Sequence, residues 1–349
     1  FPLEVDYFVD NDRKRWGGVF WGRVIKDPET LKEEDAEKVV ILVASSFYRE
    51  IASQLESYGF SEGKHFLSIH KLGFNQAYPP GHFSSPIPSL DEVRRRAERI
   101  FRRDIRSLPG IDVREREQLE LLESFKPFWN EYPYRKPERG SLRYTEKNNY
   151  FPAGDASMLY CMMRKIKPKK IIEVGSGYSS ALMMDINEIF FQGAIELTFI
   201  EPNPGRLKTL LRDGDSDKVR LIESEVQDVK TAEFRALEAG DFLFIDSSHV
   251  SKVGSDCNYL FFEVLPVLQK GVIVHFHDIF WPFEYSEKII LNDGRFYNEA
   301  YVLRAFLQYN SAFQIMLWLH FLMCRHTEAV LSALPGLAGG GSMWIRKMI

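Results

Sequence analysis

Two short strings carry most of the chemical potential of this chain: Asp246-Ser247-Ser248-His249 and His275-Phe276-His277-Asp278. Each closes an apolar run of strand type, Phe242 to Asp246 and Val272 to His277, so acids and imidazoles collect at strand ends. Strand alternation turns His275 and His277 to one side and Phe276 to the other. A lone histidine in such a place is more often structural, but an acid beside an imidazole at two neighbouring strand ends suits proton transfer. His249 or His277 would be the base, oriented by Asp246 or Asp278. A second reading makes Asp246, His277 and Asp278 ligands of a divalent metal that acidifies an acceptor hydroxyl.

A third string, Ile171-Ile172-Glu173-Val174-Gly175-Ser176-Gly177-Tyr178-Ser179-Ser180, is a buried strand entering a Gly-x-Gly turn and then a helix. Glycines let the backbone turn tightly against a ligand, and the helix start offers free N–H groups. The next strand ends at Glu201, where a carboxylate can accept both hydroxyls of a ribose. A dinucleotide fold calls for a third glycine at position 180, and Ser180 stands there. Glu173, two positions before the first glycine, suits a cationic amino-acid ligand better than a pyrophosphate. These departures point to S-adenosylmethionine rather than NAD.

The elements that position these groups follow a regular rhythm. Strand-like runs at Lys170–Val174, Leu197–Glu201, Val219–Glu223, Phe242–Asp246 and Val272–His277 alternate with helical stretches, which is the pattern of a doubly wound α/β sheet. Phe313–Leu319 and Ser342–Ile345 add two more strands. Such sheets bind ligands at the carboxyl ends of their strands. Upstream, residues 1–85 read as a smaller, partial Rossmann-like α/β domain, with Asp10-Asn11-Asp12 at the end of its first strand. Its role is open between nucleotide binding and docking. Residues 71–89, with Pro79, Pro80, Pro86 and Pro88, read as a linker about the boundary near 85; a helical linker or cap covers 86–150, its helical pattern running from Ser89 to about Phe128, and the main domain covers 151–349.

The strings EVGSGYSS, FIEP, VQDV, FIDSSHVSKVGSDCNYLFFEVLP and GVIVHFHDIFWPFEY together resemble the class I S-adenosylmethionine-dependent methyltransferases, in particular a bacterial group of the methyltransferase 24 type. The resemblance spans residues 88–349, with SLRYTEKNNYFPAGDA ahead of the sheet and GGSMWIRK as the closing strand. It implies a seven-stranded sheet with the last strand antiparallel. It also implies cofactor contacts at Glu173, Gly175, Ser176, Gly177 and Asp246, ribose at Glu201, and adenine near Gln227 and Asp228. Related enzymes that use metal at these strand ends take mostly carboxylate and amide ligands, so His277 favours metal-free base chemistry. Tyr144, Asn148–Phe151 and Asp155 before the sheet, with Trp281, Phe283, Glu284 and Tyr285 after its fifth strand, are candidates for a lid over a sugar or phenolic ring. For each of them ordinary packing is the competing reading, and Asp155 can equally be a helix N-cap.

Composition narrows the field. With 45 basic and 49 acidic side chains, the formal charge of −4 gives no global attraction to nucleic acid or anionic lipid. Seven arginines lie between Arg94 and Arg106, but four acids among residues 91–106 leave them reading as a solvated helix face. Cys161, Cys257 and Cys324 are widely spaced and odd in number, which fits a reducing cytoplasm better than a disulfide framework. The apolar run Ala312–Cys324 is about a third shorter than the roughly 20 residues of a membrane span. The opening Phe-Pro-Leu-Glu shows no secretion leader and reads as the start of a fragment. The expectation is an O-methyltransferase acting on a sugar, glycan or other small hydroxylated acceptor. An NAD-dependent oxidoreductase and a non-catalytic scaffold that keeps the fold are the alternatives.

Overall fold

The computed structural model describes residues 5–45, 47–68, 78, 80–135 and 142–349. Phe1 to Glu4, residues 71–77 and Pro79 of the proline-rich stretch, and Ser141 of the string before the sheet lie outside the described residues. The chain forms two compact units, Phe1–Glu92 and Val93–Ile349.

In the first unit, β1 (Phe8–Val9), β2 (Val19–Phe20) and β3 (Arg23–Lys26) make a small sheet in which β1 runs parallel to β3 and β2 antiparallel. β4 (Ile41–Val43), α1 (Tyr48–Ser57) and β5 (Phe66–Ser68) then form a parallel β–α–β pair. Helix α1 buries Ala52 and Leu55 and stops at Gly59, whose φ of +92° a side chain would resist. The acidic run at the end of β1 is spent on its own turn. Asp10 accepts from the Asp12 amide at 2.8 Å and from Arg15 at 2.9 Å, and Asp12 accepts from the Lys14 amide at 3.0 Å.

The stretch expected to be helical from Ser89 to Phe128 is instead four short helices: α2 (Leu90–Arg95), α3 (Ala97–Ile100), α4 (Glu115–Glu123) and α5 (Lys126–Trp129). Residues 101–114 between them are irregular, because Pro109 lacks an amide donor and Gly110 takes a φ of +75°. Of the arginines there, Arg102 pairs with Asp104 at 2.9 Å and Arg103 donates to the Tyr285 carbonyl at 3.2 Å.

Seven strands then build one sheet: β6 (Lys170–Val174), β7 (Glu196–Ile200), β8 (Arg220–Ile222), β9 (Phe242–Ile245), β10 (Ile273–Phe276), β11 (Phe313–Trp318) and β12 (Met343–Lys347). Their spatial order is β11-β12-β10-β9-β6-β7-β8. The neighbours from β10 to β8 are all parallel, and β12 enters antiparallel to both β10 and β11. The expected architecture, a class I methyltransferase sheet with an antiparallel last strand, is therefore the observed one. Strands β9 and β10 are buried at every position, as strands covered on both faces must be. The chain winds outward in both directions from β6, so a crevice opens at the carboxyl ends of β6 and β9. The run from Ala312 is a strand followed by the helix Leu319–Arg325, and among the described residues no helix is long and apolar enough to cross a membrane.

Candidate active site

A cavity of about 840 Å³ opens at that crevice, lined by residues from the glycine turn, the ends of β7, β9 and β10, and the segments around 150 and 295. On the glycine side, Gly175 has a φ of +85°, and a Cβ there would run into the Asp246 carbonyl oxygen. Only glycine lets β6 and β9 stay this close, and the Asp246 amide donates to the Val174 carbonyl at 2.9 Å. Gly177 begins the helix Tyr178–Phe191 and its amide donates to Ser180 Oγ at 2.9 Å. Ser179 and Ser180 in turn donate to the two oxygens of Glu173. The residue that breaks the dinucleotide pattern thus locks the turn.

Glu173 does not stand where the cofactor contact was expected. It is fully buried behind the turn and absent from the cavity wall. Burial pushes its carboxyl up to about 8 against the two serine hydrogen bonds, so its part is to hold the turn. Glu201 is on the wall, held by the Ser176 amide at 3.1 Å and the Asn203 amide at 2.8 Å. Ser176, Gly175 and Gly177 line the same wall, as does Gln227, whose side-chain amide donates to the Gly254 carbonyl at 2.8 Å. Asp228 departs from expectation: it closes a short turn, is exposed, and lies off the wall.

Across the cavity stand Asp246, His249, His277 and Asp278. His249 Nδ1 lies 2.8 Å from Glu299 and its Nε2 3.3 Å from Asp246. Its left-handed backbone, φ +59°, points its carbonyl at the Asn298 and Glu299 amides, 3.0 and 3.1 Å away. Burial opposes a charge on His249, but the two carboxylates outweigh it and hold the imidazole well above its usual range. With both ring nitrogens engaged, His249 is a charged clamp and has no lone pair with which to act as a base. Burial would likewise raise Asp246, yet His277 and His249 hold it low.

His277 is different. Its Nε2 is 3.6 Å from Asp278, while Nδ1 is buried with no hydrogen-bond partner among the described residues. Its ring lies 5.2 Å from Phe151 and 6.4 Å from that of His249. Burial lowers its pKa, and the nearby Asp246, Asp278 and Asp155 raise it to a net value above 6.5. His275, its partner by alternation, is stacked on Phe244 at 3.8 Å, bonded to Ser342 and held neutral by burial, so it belongs to the core. Among the described residues no three His, Cys, Asp or Glu side chains are spaced to hold a metal, and Asp246, His277 and Asp278 form no such set.

A family model for a methyltransferase domain matches residues 172–279, the span from the glycine turn through His277. An uncharacterized protein of Archaeoglobus fulgidus is 39% identical over 166 residues, which cover 46% of this chain and 74% of that protein. The chain carries a methyltransferase domain of the class I, S-adenosylmethionine-dependent type. The dinucleotide alternative falls with that match. Among solved structures, the chain is similar to the S-adenosylhomocysteine-bound Podospora anserina methyltransferase PaMTH1, at 15% identity and a TM-score of 0.40, covering 79% of this chain and 100% of that one. It is also similar to the O-methyltransferase TomG from Streptomyces achromogenes, at 14% identity and 0.37, covering 66% and 89%.

The wall of this methyltransferase suits its cofactor. The carboxylates of Glu201 and Asp246 both line the cavity, and the turn offers no third glycine for a pyrophosphate. Several wall residues had escaped sequence reasoning. Arg206 lies over the Tyr150 ring at 3.7 Å, and Tyr150 stacks on Tyr178 at 5.9 Å. Arg206 follows the Glu201 strand end by one loop, which is a signal a reader could have used; Lys252, Arg295 and Tyr297 carried none. The lid candidates divide. Asn149, Tyr150 and Phe151 line the cavity, with the backbone around them pinned by Asn148. Trp281, Phe283 and Tyr285 are buried in the core, Glu284 bonds Tyr301, and Tyr144 donates to the Phe151 carbonyl. Asp155 is not an N-cap, since Pro152 holds that position. It accepts from the Ser342 amide and hydroxyl at 2.8 and 2.7 Å.

Proposed function

We propose that this methyltransferase methylates a hydroxyl of a small acceptor, a sugar or a related hydroxylated compound, with His277 as the base. The observation that carries this is the His277 ring: it lies on the cavity wall, and one buried nitrogen has no protein partner among the described residues. A hydroxyl is a poor nucleophile until its proton is taken, whereas an amine or thiolate would need no such group. S-adenosylmethionine, when bound, supplies an electrophilic methyl on a sulfonium. The work of the chain is to hold the acceptor oxygen in line, exclude water and receive the proton. His277 accepts that proton, and Asp246, Asp278 and Asp155 stabilise the imidazolium that results. His249, already clamped between Asp246 and Glu299, keeps Asp246 in place. Tyr297 offers a ring face to an acceptor ring.

The test is turnover of a panel of sugars and catechols, read as S-adenosylhomocysteine release, on wild type and His277→Gln. The variant should lose on the order of 10²- to 10⁴-fold in kcat, the usual worth of a positioned base. Its calorimetric affinity for S-adenosylhomocysteine should match wild type. An undiminished kcat in His277→Gln overturns the assignment. Because His277 must be neutral to act and its pKa lies above 6.5, kcat/KM should climb with pH through a midpoint above 6.5.

A further inference from the structure

Four acids at or just behind the cavity wall are engaged by the fold, and two cations of the wall are not paired with an acid. Asp246 and Glu299 are bound to His249, Asp256 accepts from the Ser248 amide and hydroxyl at 2.8 and 2.5 Å, and Glu201 accepts from two amides. Lys252 and Arg295 line the same cavity, and neither makes an ion pair with a described residue. Some basic side chains of this unit, such as Arg143, Arg164, Lys208, Arg212 and Arg220, pair with carboxylates, so what sets Lys252 and Arg295 apart is their place on the cavity wall.

The two cations come from separate segments that the structure joins. The Ser251 amide donates to Asn298 Oδ1 at 2.6 Å, and the Asn298 side chain donates back to the Ser251 carbonyl at 3.1 Å. Lys252 follows Ser251 directly, and Arg295 precedes Asn298 by three residues. Tyr297, two residues after Arg295, has its ring 4.9 Å from the His249 ring, which ties this rim to the histidine side of the cavity. Arg206, the third cation of the wall, belongs to the other end, where its Cδ would lie 3.3 Å from a Cβ on Gly177.

We infer that Lys252 and Arg295 are a recognition site for an anionic group, a carboxylate or a phosphate, carried by the methyl acceptor. Resting on the reading above, this narrows the substrate to hydroxylated compounds bearing a negative charge, such as uronic acids, sugar phosphates or hydroxybenzoates. Arginine supplies a planar fork for two oxygens and lysine a mobile point charge, a combination suited to either anion. Tyr297 gives the ring that carries the charge a face to rest on. Exposed cations also raise the encounter rate of an anionic substrate in a salt-dependent way.

Matched probes test this on the full chain. Methyl glucoside, glucuronate and glucose 1-phosphate form one series, and catechol and 3,4-dihydroxybenzoate another. Wild type should prefer the charged members, and the ratio of glucuronate to glucose 1-phosphate tells carboxylate from phosphate. Lys252→Gln and Arg295→Gln should each raise KM for the charged probes by about tenfold, the size of one charge-assisted contact. The neutral probes should change little, and added salt should reproduce part of the loss. A preference for neutral probes, or charged-probe KM values unmoved in the double variant, overturns the inference. If no probe turns over, protein saturated with S-adenosylhomocysteine is titrated with glucuronate, glucose 1-phosphate and 3,4-dihydroxybenzoate. Binding that the double variant weakens supports the site, and no binding, or equal binding, rejects it. The His277→Gln result is separate, so the base assignment and the anion site fail independently.

Discussion

The two walls of the cavity are held together in different ways. On the glycine side, Glu173, Ser179, Ser180 and the Gly177 amide close a ring of hydrogen bonds, and Glu201 is fixed by two backbone amides. On the histidine side the bonds run between titratable groups, Asp246 to His249 to Glu299, with His277 left one nitrogen short of a partner. The first wall is a rigid shape with nothing left to give to a proton-transfer step. The second is shaped by charges, so its geometry and its chemistry depend on pH together. A cofactor needs the former and a reacting acceptor the latter.

The sharpest way to break the first wall is Gly175→Ala. The added methyl meets the Asp246 carbonyl oxygen, and the positive φ adds backbone strain. Overpacking and strain each cost on the order of 1–3 kcal/mol, so a loss of about 2–6 kcal/mol of stability is expected from thermal or urea unfolding. Because the same movement separates β6 from β9, binding of S-adenosylhomocysteine should fall as well. An alanine variant with wild-type unfolding and binding would show that the turn has room which its geometry denies.

A smaller effect, confined to binding, is expected at Glu201. If Glu201 receives the ribose hydroxyls, Glu201→Ala should weaken S-adenosylhomocysteine roughly 10- to 100-fold, the range for one hydrogen bond to a charged group. Glu201→Gln keeps an oxygen for the Ser176 or Asn203 amide and should recover part of that loss. Equal affinity of all three forms by calorimetry would remove Glu201 from the cofactor site.

Much of this contrast could be read before any coordinates. Alternating apolar runs give the order of elements, and the glycine turn and Glu201 lie where strand ends demand a ligand, because both follow from local pattern. Glu173 escapes such reading because alternation assigns a side chain to a face but cannot say whether Ser179 and Ser180, six and seven residues on in the following helix, reach it first. His249 looked like a base for a similar reason. Its second carboxylate, Glu299, is 50 residues downstream, and no periodicity links them. The buried set of Arg143 with Asp185 and Asp215 was invisible on the same grounds. Long helical reading of 89–128 failed locally instead, at Pro109-Gly110.

The last contrast concerns pH, and it separates the walls most cleanly. Glu173 has its pKa raised from 4.5 to about 8 by burial, so the folded state holds a proton that the unfolded state releases earlier. Its contribution to stability is complete below about pH 4.5 and is lost as pH rises through 8. His249 is also raised, by its two carboxylates against burial, so its contribution is complete below about pH 6.5 and is lost only as pH passes its higher folded value. Both therefore lower stability toward alkaline pH, but in different windows. Glu173→Gln should flatten the stability profile between about pH 4.5 and 8, and His249→Gln should flatten it above 6.5. Urea unfolding of the three proteins across pH 4 to 10 reads this directly. If His249→Gln left the alkaline slope unchanged, the imidazole would be neutral in the folded protein, and the histidine wall would then have two bases to offer rather than one.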